Sequence, residues 1–345
     1  MNNRYFRLGV SMPGVNQPMH RFGEMAKIAE ESGFDSVWGY EAYRNGFVQQ
    51  ATSAVTTSKI DLAIGLAAAA QRSPFEMSNA AMDVNELSNG RLRLVIGPGG
   101  ASFNEFFNGV EIDRPATRMR EYIKIMKMYL EHARSGAQFD FEGEFYKFCI
   151  PPMNPFGQRP FPMPDFPLYL GAIQPAMLRL AGELCDGIMG FLPTPELMKN
   201  HLIPGLAEGA TKANRDQGEV DIVQYIICSP HEDRETALYR ARIQVGTYVC
   251  HPLGDFVLKR DGLLGERDKV MAGLMEGGPP ALAECVPDVL LERYAVVGTP
   301  GECREQFKYY QEFVPHAVLH TPYVPPLKEE ESYDTYVRIC KTFAR

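Results

Sequence analysis

Short apolar runs and amphipathic stretches alternate along almost the whole chain. Arg7 to Met12 reads as a first strand, and Met19 to Ser32 has helical period (Phe22, Met25, Ala26, Ile28, Ala29) with Gly33 as its stop. Asp35 to Gly39 is strand two, Val48 to Ser58 a helix, and Ile60 to Leu66 strand three, a branched apolar run suited to burial on both faces. Ser73 caps and Pro74 opens the next helix, in which Met77, Ala80, Ala81, Val84 and Leu87 share a face. Asn89-Gly90 ends that helix, and Leu92 to Ile96 is strand four.

The same rhythm continues. Pro115 to His132 is a long helix and Phe139 to Phe148 a hairpin; seven prolines (151, 152, 155, 160, 162, 164, 167) then preclude regular pairing before strand five, Leu168 to Leu170. A helix follows "GAIQ", then strand six (Ile188 to Phe191), a helix (Pro195 to Arg215) and strand seven (Val220 to Cys228). After a helix from Glu232 to Val249, residues His251 to Tyr294 carry short helical pieces and no strand, the mark of a functional insertion. "VVGTPGECREQFKYYQEF" yields a helix capped by Thr299 with Pro300 first; His316 to His320 is strand eight and Tyr333 to Phe343 a terminal helix. Eight alternating β and α repeats predict an α/β chain folded as a single (β/α)8 TIM-barrel domain over 1–345, with insertions after strands four and seven at about 136–167 and 251–294. A doubly wound open sheet is the alternative, and the missing GxGxxG after strand one counts against it.

At 345 residues, 45% hydrophobic and 23% charged, the composition is that of an ordinary globular protein. The net charge of −8 without a basic tract argues against nucleic acid as a partner. No apolar run suits a membrane span and no secretory signal opens the chain, which makes the expected location cytoplasmic. Seven scattered cysteines read as reduced thiols, and neither they nor the seven histidines show metal-ligand spacing; no metal is expected.

In a parallel barrel the carboxyl ends of the strands share the ligand-binding face. Three loops there are informative. Gly65-Leu66-Ala67 runs on into Ala68 to Ala70, where tiny side chains suit either a flat ring lying on the backbone or simple close packing. Gly97-Pro98-Gly99-Gly100 suits a close ligand approach or a tight turn. Gly171-Ala172-Ile173-Gln174 opens a helix, whose free amides attract anions, and an ordinary β-to-α turn reads the same way. Phe103, Phe106 and Phe107, in the loop from Ala101 to Asp113, fit core packing over the barrel mouth.

"RSP" followed by "ELSNGRLRLVIGPG", together with "AEESGFDSVWGYEAY" and "RPATRMREYIKIMKMYL…FEGEFYKF", resembles the luciferase-like flavin- and deazaflavin-dependent oxidoreductases. The nearest branch is that of methylenetetrahydromethanopterin reductase and other users of coenzyme F420. The resemblance implies an oxidoreductase that moves a hydride between F420 and a small organic substrate, with a homodimer as the assembly. It implies a cis peptide at Gly65-Leu66 behind the ring, with Ala67 beside it, and phosphate contacts at Gly171, Ala172, Ile173 and Gln174; Gly97 and Gly99, in the glycine-rich turn, are read with these as cofactor-binding. Glu41 falls on the acidic position of an Asp-His pair at the end of strand two and is the catalytic candidate, but Ala42 stands where the histidine would be. Gly100 likewise stands where one branch has a catalytic Glu. An FMN-dependent monooxygenase and a non-catalytic ligand-binding barrel are the alternatives.

Overall fold

The computed structural model describes residues 6–15, 17–153 and 165–345; Pro155, Pro160, Pro162 and Pro164 lie outside them. Eight strands run parallel and close into a barrel: β1 (Arg7–Ser11), β2 (Ser36–Gly39), β3 (Asp61–Ala68), β4 (Leu92–Gly97), β7 (Leu168–Gly171), β8 (Gly187–Phe191), β9 (Asp221–Pro230) and β11 (His316–His320), which pairs back onto β1. A hairpin of β5 (Phe139–Glu142) and β6 (Lys147–Ile150) fills the first insertion, and helices Gly254–Arg260, Leu264–Gly277 and Asp288–Tyr294 the second. The (β/α)8 reading therefore holds, and the open sheet is excluded by the β11–β1 pairing.

The strand interiors are packed, not hollow. Trp38, Ala63, Val95, Tyr169, Val223, Tyr225 and Val318 form the inner core. Trp38 takes so much of it that a Cβ on Gly9 would lie 2.7 Å from the indole nitrogen. Two larger apolar clusters lie between sheet and helices. The expected punctuation is present: Ser73 Oγ accepts the Glu76 amide, Thr299 and Glu302 form a capping box, and Asn89 and Gly90 both take positive φ.

Two expectations need correction. A ninth parallel strand, β10 (Ala295–Gly298), pairs with Ala295↔Ile227 to Gly298↔Pro230 on the far end of β9. Its four residues merge in sequence with the helix that follows, and β9 reaches it only by outrunning the barrel by three residues. The 101–113 stretch is not plain loop: Ala101–Asn108 is helical, and its last turn is wide, with the Gly109 amide donating to the Asn104 carbonyl. Asn104 is the one buried residue of that segment, and its side-chain amide donates to the Pro98 carbonyl at 2.9 Å. Phe106 and Phe107 face outward, 75% and 56% exposed, and are not core.

Candidate functional site

The carboxyl end of β3 is where the chain departs most from regular geometry. The Gly65–Leu66 peptide is cis, as the resemblance implied, and the pairing of β3 with β4 slips by one residue between Gly65 and Ala67. Both carbonyls flanking the bulge are engaged: Tyr225 donates to Gly65 O at 3.2 Å and the Glu41 amide to Leu66 O at 3.2 Å. A Cβ on Gly65 would lie 2.7 Å from Met189 Sδ, 2.7 Å from Trp38 and 2.9 Å from the Tyr225 hydroxyl, so only glycine fits. Leu66 is half-buried, and Ala67 and Ala68 are buried beside it.

The glycines opposite have a partner within the protein. Leu66 Cδ2 lies 3.0 Å from where a Gly97 Cβ would be and 2.7 Å from that of Gly171, so these two admit the leucine side chain. Gly99 has φ +82 and sits over Asn104. A side chain at Gly100 would approach His251 Nε2, at 3.9 Å from its Cβ. His251 is held at its other ring nitrogen, which accepts the Leu253 amide at 3.2 Å.

The turn after β7 is half spent on the fold. The Ala172 amide donates to Met189 O at 3.1 Å, and Ile173 O accepts from His201 Nε2 at 2.7 Å. Gln174 occupies the N-cap of the Pro175–Leu184 helix with extended dihedrals and no side-chain cap. Gln174, Pro175 and Ala176 are exposed, and a helix leaves its first-turn amides without intrahelical partners. Any anion at this turn would therefore meet the amides beyond Ala172.

Glu41 lies between β2 and β3, but its carboxylate is fully committed. Arg72 donates to Oε2 at 2.7 Å, the Ala68 amide to the same oxygen at 3.3 Å, and the Gly46 amide to Oε1 at 3.2 Å. The side chain is 2% exposed and that of Arg72 11%, the guanidinium lying over the Phe47 ring at 5.0 Å. Glu41 thus ties the bulged strand end to the helix Gly46–Ala54. It has the geometry of an anchor.

Sequence reasoning missed the polar network in the middle of the mouth. His320, at the end of β11, has Ser11 Oγ at 2.6 Å from Nδ1 and the Tyr248 hydroxyl at 2.8 Å from Nε2. Tyr225 stacks on its ring at 4.9 Å, and Tyr248 stacks on Phe191 at 5.4 Å. Burial pushes the His320 imidazole down to about 3, so the ring is neutral. Tyr40, whose oxygen accepts the Gly14 amide at 2.8 Å, packs against Tyr323 at 5.0 Å on the near side. Residues 11, 248 and 320 are remote in sequence. The available signal was strand alternation, which sends His316, Val318 and His320 to one side of strand eight.

Among the described residues no group of histidine, cysteine and acidic side chains is arranged to hold a metal, and no helix is long and apolar enough to cross a membrane. Known proteins agree with this architecture. A model of luciferase-like monooxygenases matches residues 5–317. Over 294 residues the chain is 30% identical to the 5,10-methylenetetrahydromethanopterin reductase of Methanolobus tindarius, covering 84% of this chain and 86% of that protein. The coenzyme F420 dependent tetrahydromethanopterin reductase of Methanopyrus kandleri shares the fold with a TM-score of 0.80, 22% identity and 98% of each chain covered. The oxygenating constituent of 3,6-diketocamphane monooxygenase from Pseudomonas putida, solved with FMN, shares it with a TM-score of 0.66, 16% identity and 98% of each chain covered. With nearly the whole barrel matched by the family model and a relative at this identity, the chain belongs to the luciferase-like monooxygenase family.

Proposed function

We propose that this protein is an oxidoreductase that moves a hydride between coenzyme F420 and a small organic substrate. The observation that carries the reading is the bulge in β3, which leaves Leu66 half-buried between buried Gly65 and Ala67 and turned onto Gly97 and Gly171. In this proposal a flat tricyclic ring lies against Leu66 and the backbone beside it. The exposed start of the Pro175–Leu184 helix fits a phosphate, since unpaired amides and the helix dipole both favour an anion. The F420 dependence of the Methanopyrus kandleri protein, which shares this fold, supports the cofactor choice.

When bound, the deazaflavin supplies the hydride. In this reading Gly65, Leu66 and Ala67 back the ring, with Gly97 and Gly99 on the facing loop, and Gly171, Ala172, Ile173 and Gln174 shape the phosphate turn. Ala172 takes part through its position, because its amide is engaged by Met189. Glu41 serves as a positioning residue that fixes the Ala68 amide and the Arg72 guanidinium. Glu41→Gln is expected to lower cofactor retention and turnover together; a loss of turnover with retention intact would instead make Glu41 a proton carrier.

FMN with monooxygenase chemistry is the second reading, favoured by the FMN-bound Pseudomonas putida relative of the same fold. Equilibrating the purified protein with F420 and with FMN, then measuring retention and absorbance, separates the two. Retention of F420 with hydride turnover supports the proposal. Retention of FMN with oxygen-dependent turnover supports the second reading, and retention without turnover of any donor or acceptor describes a binding barrel. Light scattering on the same sample tests the homodimer that the family resemblance implies.

A further inference from the structure

Ser11 is wholly buried, and its hydroxyl oxygen accepts the Thr321 amide at 3.2 Å. A buried hydroxyl proton also needs an acceptor. The one acceptor recorded within reach of Ser11 Oγ, among the described residues, is His320 Nδ1 at 2.6 Å. Ser11 therefore donates to Nδ1. His320 is neutral, so its single ring proton sits on Nε2 and is donated to the Tyr248 oxygen at 2.8 Å. That leaves the Tyr248 hydroxyl proton uncommitted. Tyr248 is half-buried and lies flat on Phe191, the last residue of β8, while His320 stacks on Tyr225, whose hydroxyl touches the Gly65 carbonyl. The free donor accordingly stands on the mouth side of the chain, two aromatic layers from the bulge.

We propose that Tyr248 is a catalytic residue that donates its hydroxyl proton to the heteroatom of a C=O or C=N hydride acceptor, with Ser11 and His320 as positioning residues that keep this proton turned to the mouth. The inference rests on the hydride-transfer reading above. Ala42 leaves the end of β2 without an acid, and Glu41 is consumed by Arg72, so the mouth needs a donor from elsewhere. The step balances. A hydride from a reduced deazaflavin or flavin forms the new C–H bond, the π pair of the acceptor moves to its oxygen or nitrogen, and Tyr248 protonates that atom. The carrier is oxidised by two electrons and the acceptor reduced by two; burial raises the Tyr248 hydroxyl well above its ordinary range, so the phenolate takes its proton back from water that enters as product leaves.

Histidine nitrogen NMR on the full chain tests the orientation without any substrate. The His320 signals, identified by their loss in His320→Gln, should report the neutral Nε2–H form at pH 7. Ser11→Ala removes the donor to Nδ1, so the Nδ1–H form should gain population. An Nδ1–H ring in the wild type overturns the proposal, because Tyr248 would then be donating to the imidazole. Protein loaded with reduced cofactor should reduce cyclohexanone or pyrroline, and Tyr248→Phe should lower kcat by about 10²-fold or more with unchanged cofactor retention. Turnover of Tyr248→Phe at the wild-type rate, or no reduction of either probe by the loaded wild type, also overturns it. Failure to retain any cofactor would instead sink the hydride reading itself, and retention is measured first.

Discussion

Strand β11 carries one buried histidine at each end of the barrel, and the two are wired in opposite senses. At the amino end, Trp38 Nε1 donates to Ser36 Oγ at 2.8 Å, and Ser36 faces His316 Nε2 at 3.3 Å. His316 Nδ1 then meets Asp221 Oδ2 at 3.2 Å, a carboxylate that can only accept. Asp221 is also held by Arg7 and by the Tyr169 hydroxyl at 3.1 Å, while Arg93 pairs with Asp61 at 2.6 Å. Burial opposes ionisation of Asp221, yet His316, Arg7 and Tyr169 hold its carboxyl well below the usual carboxylate range. That chain begins on a donor and ends on a carboxylate that only accepts. At the carboxyl end the chain starts from Ser11 and ends on a neutral hydroxyl with a proton to spare. One end of the barrel consumes its polarity in holding the strands together, whereas the other leaves a hydroxyl proton unspent, and in this fold that end is where ligands bind.

The largest expected effect comes from the closed end. Asp221→Ala leaves Arg7, His316 and Tyr169 without their common acceptor, and losing one partner of a buried pair costs about 3 kcal/mol at the lower end of the usual range. Arg7, 28% exposed, keeps some hydration, which argues for that lower end. Urea unfolding should show the loss while cofactor retention by the remaining folded protein is unaltered. A variant as stable as the wild type would mean that the network contributes nothing and that the two ends do not differ as described.

Gly65→Val probes the open end by overpacking. Its new methyl groups would enter space already taken by Met189, Trp38 and Tyr225, two of them rigid rings. The cost should fall within about 1–3 kcal/mol, smaller than at Asp221 because Met189 is flexible and half-buried. Unlike Asp221→Ala, this variant should also lose cofactor retention. Stability loss with retention intact would separate β3 from the ligand site.

How much of this was legible beforehand depended on distance along the chain. The barrel strands and the caps at Ser73 and Thr299 are local patterns, and local patterns survive folding. Gly65 and Leu66 were legible through family likeness, but the reason Gly97 and Gly171 must be glycine was not, because it is the Leu66 side chain reaching across two neighbouring strands. Glu41 was visible as an acid near a strand end. Its capture by Arg72, 31 residues on, could be known only once β2 and β3 were side by side. The Ser11–His320–Tyr248 chain joins the first strand, the last strand and a helix, so nothing short of barrel closure brings it together.

A pH scan isolates the contribution of His320 more gently. The folded pKa of His320 lies near 3, against about 6.5 in an unfolded chain, so between those values the unfolded state binds more protons. The stability this represents is fully present above about pH 6.5 and is lost as pH falls toward 3, with a slope of at most ~1.4 kcal/mol per unit. Between pH 7.5 and 5 the loss from this group should approach about 2 kcal/mol. His320→Gln cannot titrate, so its stability should decline less over the same interval. Parallel curves for the two proteins would remove burial of a neutral imidazole from the account of the open end.

The smallest effect lies where the open end meets solvent. Gln174 holds the N-cap position of the Pro175–Leu184 helix but makes no capping bond, whereas an aspartate there would accept a first-turn amide. Gln174→Asp should therefore stabilise the protein by about 0.5–1 kcal/mol, because the residue is exposed and the added charge stays hydrated. The same carboxylate would occupy the amides proposed for the phosphate and repel it, weakening cofactor binding by about 1 kcal/mol, or roughly fivefold. Opposite signs are the informative outcome, since a general perturbation of the turn would lower both quantities. Higher stability with unchanged affinity for F420 or FMN would move the phosphate to another part of the mouth, and the helix start would then belong with the structural end of the molecule.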